Sequence, residues 1–128
     1  MDGNDRIVDY KTGGYSIGWK EVGDMFDLPA EKRGYTAFQM MFYLHLLDKK
    51  GLVKDVDKAV MAVCSLKDLF GSPRGLSAFG ITRADYDLFV ERLYDLVENR
   101  ILNKEIPFEA KGEGKTCEYC PYSVVCNK

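Results

Sequence analysis

Apolar and polar positions first fall into a regular pattern at Arg6-Ile7-Val8-Asp9-Tyr10-Lys11, which Thr12-Gly13-Gly14 closes. Two β-branched residues lead into an acid, an aromatic and a lysine, predicting a short strand ended by a glycine turn. Side chains alternate along a strand, so Asp9 and Lys11 share one face while Val8 and Tyr10 are expected to pack the other. The preceding Asp2-Gly3-Asn4-Asp5 resembles a hairpin tip, with Asp2 and Asp5 as turn residues.

Residues 15–34 mix aromatics, charges and glycines without a clean period. They predict a long connection holding one short element around 20–25. Thr36 is placed to cap a helix running to about Lys49, with Lys49-Lys50-Gly51 at its negative end. Phe38, Met41, Phe42 and His45 follow the i, i+3, i+4, i+7 rule and predict its buried stripe. Gln39 and Tyr43 lie four apart on a neighbouring face. Residues 59–66, Ala-Val-Met-Ala-Val-Cys-Ser-Leu, predict a buried strand. Two strands joined by a helix favour a parallel, right-handed crossover. Residues 71–79 are rich in Gly, Ser and Pro and predict a loop. Thr82 then caps a long helix to about Asn103, whose Tyr86, Phe89, Val90, Leu93, Leu96, Val97 and Ile101 keep a 3.6-residue period. Residues 104–115 lose that period and lead to Cys117, Cys120 and Cys126. The order is strand-helix-strand-helix with a cysteine-rich tail, an α/β fold.

A chain of 128 residues is one domain by length, large enough for a modest core. No run of eighteen or more apolar residues occurs and no basic-then-apolar leader opens the sequence, so neither membrane span nor signal peptide is expected. Three of the four cysteines crowd one end, which fits a reduced, cytoplasmic compartment and a metal site better than a disulfide framework. The net charge of -2 and pI of about 5.4 count against a free-standing nucleic-acid binder with a basic face. They leave a nuclease open, because metal-holding carboxylates lower the pI and other domains can supply DNA grip.

The candidate chemistry lies in three places. Asp9 and Lys11, side by side at a strand end, could bind a divalent metal and polarise a phosphate or a water, although an isolated D-x-K is more often an exposed cross-face charge pair. Gln39 offers a donor and an acceptor and Tyr43 a ring and a hydroxyl, suited to a water or phosphate but also common on a helix flank. Cys117-x-x-Cys120 lets two thiolates grip one metal and Cys126 adds a third, one short of a closed tetrahedral site. His45, with no second ligand at metal spacing, reads as a core or flank residue, and Cys64 as a small core residue.

Ile7-Val8-Asp9-Tyr10-Lys11-Thr12-Gly13, then Phe38-Gln39-Met40-Met41-Phe42-Tyr43, then Cys117-Glu118-Tyr119-Cys120-Pro121-Tyr122 with Cys126, run in one order along nearly the whole chain. Together they resemble the nuclease domain of the RecB/AddB type, in the PD-(D/E)XK superfamily. The resemblance implies the C-terminal part of a restriction-endonuclease-like core: a metal-binding strand (1–14), a Gln/Tyr helix (35–50), a strand (58–66), a helix (82–103) and a cysteine motif (117–126). It implies Mg2+-dependent hydrolysis of DNA phosphodiesters by an exonuclease of an ATP-dependent helicase–nuclease that processes double-strand ends. Asp9 and the Tyr10 backbone carbonyl would hold Mg2+, Lys11 would orient the attacking water and stabilise phosphate charge, Gln39 would help position that water, and Tyr43 would touch DNA.

In the AddB-like branch Cys117, Cys120 and Cys126 would hold a 4Fe-4S cluster as a structural staple. Its fourth cysteine lies upstream, before the hairpin, and is not in this sequence; Cys64 is a candidate substitute. The aspartate of the first hairpin strand and a further upstream ligand are likewise missing, so the isolated chain is expected to have little or no nuclease activity. Its unpaired strand edge predicts a homodimer. Expected partners are DNA and a helicase subunit, or a helicase domain of the same polypeptide. Two other classes remain: a non-catalytic metal-stapled module binding DNA or protein, and a plain zinc-binding protein.

Overall fold

The computed structural model describes residues 3–29, 32–67, 76–107, 115–118 and 120–126, which fall into two compact units, Met1–Asp95 and Leu96–Lys128. The first unit carries a three-stranded sheet: β1 (Arg6–Lys11), β2 (Val60–Ser65) and β3 (Leu76–Phe79), in that order. β1 and β2 run parallel, with Asp9 beside Val63 and Lys11 beside Ser65. The helix α1 (Tyr35–Lys49) lies between them in sequence, the connection that parallel neighbours require. β3 pairs antiparallel with β2, where a loop is expected over 71–79. Leu76-Ser77-Ala78-Phe79 alternates about the sheet, and four residues suffice for an edge strand once β2 presents a free ladder.

Two bonds fix the phase of the β1–β2 ladder: the Val60 N–H donates to the Asp5 carbonyl (2.9 Å) and the Leu66 N–H to the Lys11 carbonyl (2.9 Å). Odd-numbered residues of β1 therefore bond inward to β2. The backbone groups of Val8 and Tyr10 face the outer edge of the sheet. Asp5 is no turn residue: it opens the ladder, and its carboxylate accepts from the Lys54 N–H at 2.7 Å. Asp2 lies outside the described residues.

The β1 faces differ from expectation in one respect. Ile7, Asp9 and Lys11 are the half-covered side, whereas Val8 (42% exposed) and Tyr10 (64%) stand in water rather than packing. α1 covers only the Asp9–Lys11 side, and on the opposite face burial reaches only the small Ala62 and Cys64 of the central strand.

α1 begins one residue before the expected cap. Gly34 takes the N-cap position, and Thr36 is buried inside the first turn. A Cβ at Gly34 would come within 3.2 Å of the Gly18 carbonyl, so a glycine stands where two segments touch. Gly51, at φ +67°, follows the helix as expected. The buried stripe is Ala37, Met40, Met41, Leu44 and His45, centred one position away from the expected one, with Phe38 and Phe42 half-buried. The helix is sandwiched between sheet and a second helix, and the wide middle of its apolar arc meets both. Phe38 still joins a ring cluster with Phe26 and the fully buried Phe89.

That second helix, α2 (Arg83–Asp95), starts at a reciprocal cap: the Asp85 N–H donates to Thr82 Oγ1 (3.2 Å) and the Thr82 N–H to the Asp85 carboxylate (3.2 Å). The expected long helix to about Asn103 is α-helical as far as Asp95 and continues as π-helix over Leu96–Ile101. Ile101, the last apolar position of the expected stripe, is 62% exposed. The described residues of the expected connection, 15–29 and 32–34, include a 3-10 turn at Val22–Met25. It is anchored rather than loose: Val22 and Met25 are buried, and Trp19 meets Phe79 edge-on. No helix among the described residues is long and apolar enough to cross a membrane.

Candidate active site

Strand alternation turns Asp9 and Lys11 toward α1, and helix spacing turns Gln39 and Tyr43 toward β1. The result is one continuous row of side chains. Lys11 Nζ lies 2.9 Å from Asp9 Oδ2 and donates to Gln39 Oε1 at 2.6 Å. Gln39 Nε2 in turn donates to Tyr43 Oη at 2.7 Å. An ammonium can only donate, so the amide oxygen faces Lys11 and the amide nitrogen is left for the phenol. Lys11 and Asp9 keep 28% and 19% of their side-chain surface in water, which makes the row reachable by solutes.

Asp9 Oδ2 is shielded from solvent and has no aligned hydrogen bond; its contact with Lys11 is an ion pair. A carboxylate oxygen held in this way is available to a hard cation. The Tyr10 carbonyl, on the outer edge of β1, is a second oxygen donor. Among the described residues no group of three or more His, Cys, Asp or Glu comes together to hold a metal ion. Asp9 Oδ2 and the Tyr10 carbonyl are oxygen donors of the kind that a hard cation takes.

Two segments missed by pattern reading frame the row. Tyr15 Oη lies 3.0 Å from Ser77 Oγ and 3.4 Å from the Val63 carbonyl, pinning the chain that leaves β1 across the other two strands. Ile7, Leu46, Leu47 and Lys50 line a cavity with Tyr43. Their signal was present in the sequence, since Leu46 and Leu47 follow Tyr43 by three and four positions.

His45 is a core residue, as expected. It is 5% exposed, and its Nδ1 lies 3.1 Å from the Tyr86 hydroxyl, which donates to Asp48 Oδ2 at 2.6 Å. With that proton committed to Asp48, the hydroxyl accepts from His45. Burial, aided by the Lys49 charge and opposed by Asp48, holds the imidazole below its ordinary pKa of 6.5. Cys64 is buried, as a small core residue.

None of the C-terminal cysteines among the described residues is in a disulfide. Cys117 sits in the short helix α3 (Lys115–Glu118), and the Cys120 N–H closes a turn on the Cys117 carbonyl at 3.2 Å. The Cys126 N–H bonds back to the Tyr122 and Ser123 carbonyls, and Cys126 is exposed. These turns satisfy the backbone without drawing the sulfurs into a metal-holding group among the described residues.

No curated protein and no solved structure gives a significant match to this chain. A family description does: that of the PD-(D/E)XK nuclease superfamily matches residues 1–127. The match takes in β1 with its D-x-K, the Gln/Tyr helix and the sheet between them, and on that extent this chain belongs to the PD-(D/E)XK nuclease superfamily.

Proposed function

We propose that this chain is part of an Mg2+-dependent DNA nuclease of the RecB/AddB type, an exonuclease joined to a helicase in the cytoplasmic processing of double-strand ends. Residues 1–128 would be the C-terminal part of its nuclease domain, from the metal-binding strand to the cysteine motif. The observation that carries the reading is the bridge made by the Lys11 ammonium, which touches the Asp9 carboxylate and the Gln39 amide at once. Superfamily members generally use a divalent metal for catalysis, consistent with the half-seat at Asp9 and Tyr10.

A bound Mg2+ would supply Lewis-acid polarisation of the phosphate and of its attacking water. Asp9 and the Tyr10 carbonyl would hold it. Lys11 donates to the phosphate oxygens or to the water and offsets the negative charge that grows as water attacks phosphorus. Gln39 is a positioning residue: its oxygen aims the ammonium, and Tyr43 steadies its amide from the other side. Tyr43 also reaches the DNA strand. The 4Fe-4S staple on Cys117, Cys120 and Cys126 belongs to the same proposal and needs a further ligand.

Because the donors present make half a seat, the chain by itself is expected to hydrolyse DNA little. The test is therefore a binding one. With Ca2+ substituting for Mg2+, affinity for linear DNA should rise in the wild type and not in Asp9→Ala. Absence of any cation-dependent, Asp9-dependent binding would move the assignment to the second reading, a non-catalytic metal-stapled module that binds DNA or protein.

A further inference from the structure

Cys117, Cys120 and Cys126 form no metal-holding group among the described residues, and none of them is in a disulfide. The backbone nevertheless brings two of them close. α3 ends at Glu118, and the Cys120 N–H then closes a turn on the Cys117 carbonyl at 3.2 Å. A turn closed by such an i→i+3 bond keeps its first and last Cα within ~7 Å. That span takes in the ~4.4–6.8 Å over which a disulfide joins two Cα atoms. Both thiols are half-buried, so a small molecule can reach them. Cys126 is exposed and stands two turns further on. Those turns are closed by the Ser123 N–H on the Cys120 carbonyl (3.1 Å) and the Cys126 N–H on the Ser123 carbonyl (3.1 Å).

Two thiols held at this spacing suit thiol–disulfide exchange. We propose that Cys117 and Cys120 are a redox-active dithiol, which a low-molecular-weight disulfide converts reversibly into a Cys117–Cys120 bridge. The thiolate of one cysteine attacks a sulfur of the small disulfide, whose S–S bond breaks and releases one small thiolate. The second protein thiolate then attacks the protein sulfur of the mixed disulfide and expels the other small thiolate. The two protons given up by the cysteines go to the two leaving thiolates. Two protein thiols are thereby oxidised to one disulfide, and one small disulfide is reduced to two thiols. Cys126, two turns from Cys120, keeps the mixed disulfide it forms. Metals are held by thiolates, so a bridged tail cannot take one on Cys117 or Cys120. The inference goes beyond the nuclease reading and does not rest on it: the oxidation state of the tail sets whether these sulfurs are open to a metal.

The test uses the full chain, freed of metal by a chelator and incubated with oxidised glutathione under native conditions. After acid quenching, alkylation and trypsin, mass spectrometry reads peptide 116–128, which carries all three C-terminal thiols. The wild type should show a Cys117–Cys120 bridge with glutathione on Cys126 alone, and dithiothreitol should return all three as alkylatable thiols. Cys117→Ser and Cys120→Ser should each trap glutathione on the remaining member of the pair, because the thiol that expels it is gone. Glutathione that stays on Cys117 or Cys120 in the wild type overturns the pairing. So does a bridge that includes Cys126, in the wild type or in either variant. Survival of Cys117 and Cys120 as thiols, or variants that hold no glutathione there, overturns the exchange itself.

Discussion

The Lys11 ammonium donates to Gln39 Oε1 at 2.6 Å across 28 positions of sequence, joining the edge strand to the helix that covers it. Replacing it with an apolar stem tests whether the contact serves stability or anion binding. Lys11→Met should cost no more than about 1–3 kcal/mol, the order for a shielded group left unsatisfied, because Asp9 Oδ2 loses its ion pair. Affinity for DNA should fall about tenfold, as expected on losing one charge-assisted contact. A large loss of stability with unchanged binding would make the pair merely structural.

Gln39 offers a sharper distinction. Gln39→Leu removes the guide for Lys11 but keeps its positive charge; Gln39→Glu sets a second carboxylate against the ammonium and neutralises it. DNA affinity should therefore rank wild type above Gln39→Leu above Gln39→Glu, read by anisotropy in Ca2+. The reverse order of the two variants would show that Lys11 does not meet phosphate.

The outer edge of β1 turns the backbone of Val8 and Tyr10 toward solvent, and an open edge pairs readily with another strand. A homodimer is expected at roughly tens of micromolar, detectable by sedimentation. Val8→Pro should abolish it without disturbing the β1–β2 ladder, since that N–H points outward. A monomeric wild type at those concentrations would sink the idea.

His45 links stability to pH. Its folded pKa lies below 6.5, so the folded state prefers the neutral ring and the unfolded state binds more protons in that range. This contribution is fully present above about pH 6.5 and is lost as pH falls through the depressed value. The urea midpoint should drop between pH 7 and pH 5, and the drop should flatten in His45→Gln. The lowered carboxyls of Asp24 and Asp55 act only below their ordinary value of 3.8 and do not confuse the window. A midpoint that rises on acidification contradicts the assignment.

Phe89 is fully buried between Phe26 and Phe38. Phe89→Ala should cost about 3–5 kcal/mol by chemical denaturation, as a cavity opens where three rings meet. A loss below 1 kcal/mol would show that the cluster collapses around the gap.

Local rules were enough for much of this protein. Two-residue alternation made Asp9 and Lys11 neighbours, helix spacing paired Gln39 with Tyr43, and the apolar run at 59–66 gave the buried strand seen as Val60–Ser65. These depend on contacts within one element, which the order of residues specifies directly. What needed the tertiary structure depends on partners distant in sequence. That Val8 and Tyr10 face water follows from where α1 lies, and the shifted stripe of α1 from being packed on two sides. Leu76–Phe79 is a strand because β2 offers it a ladder, whatever its flanking glycines and prolines suggest. Above all, the meeting of Lys11 with Gln39 required the strand and the helix to be folded onto each other, since no local spacing encodes a contact between two elements.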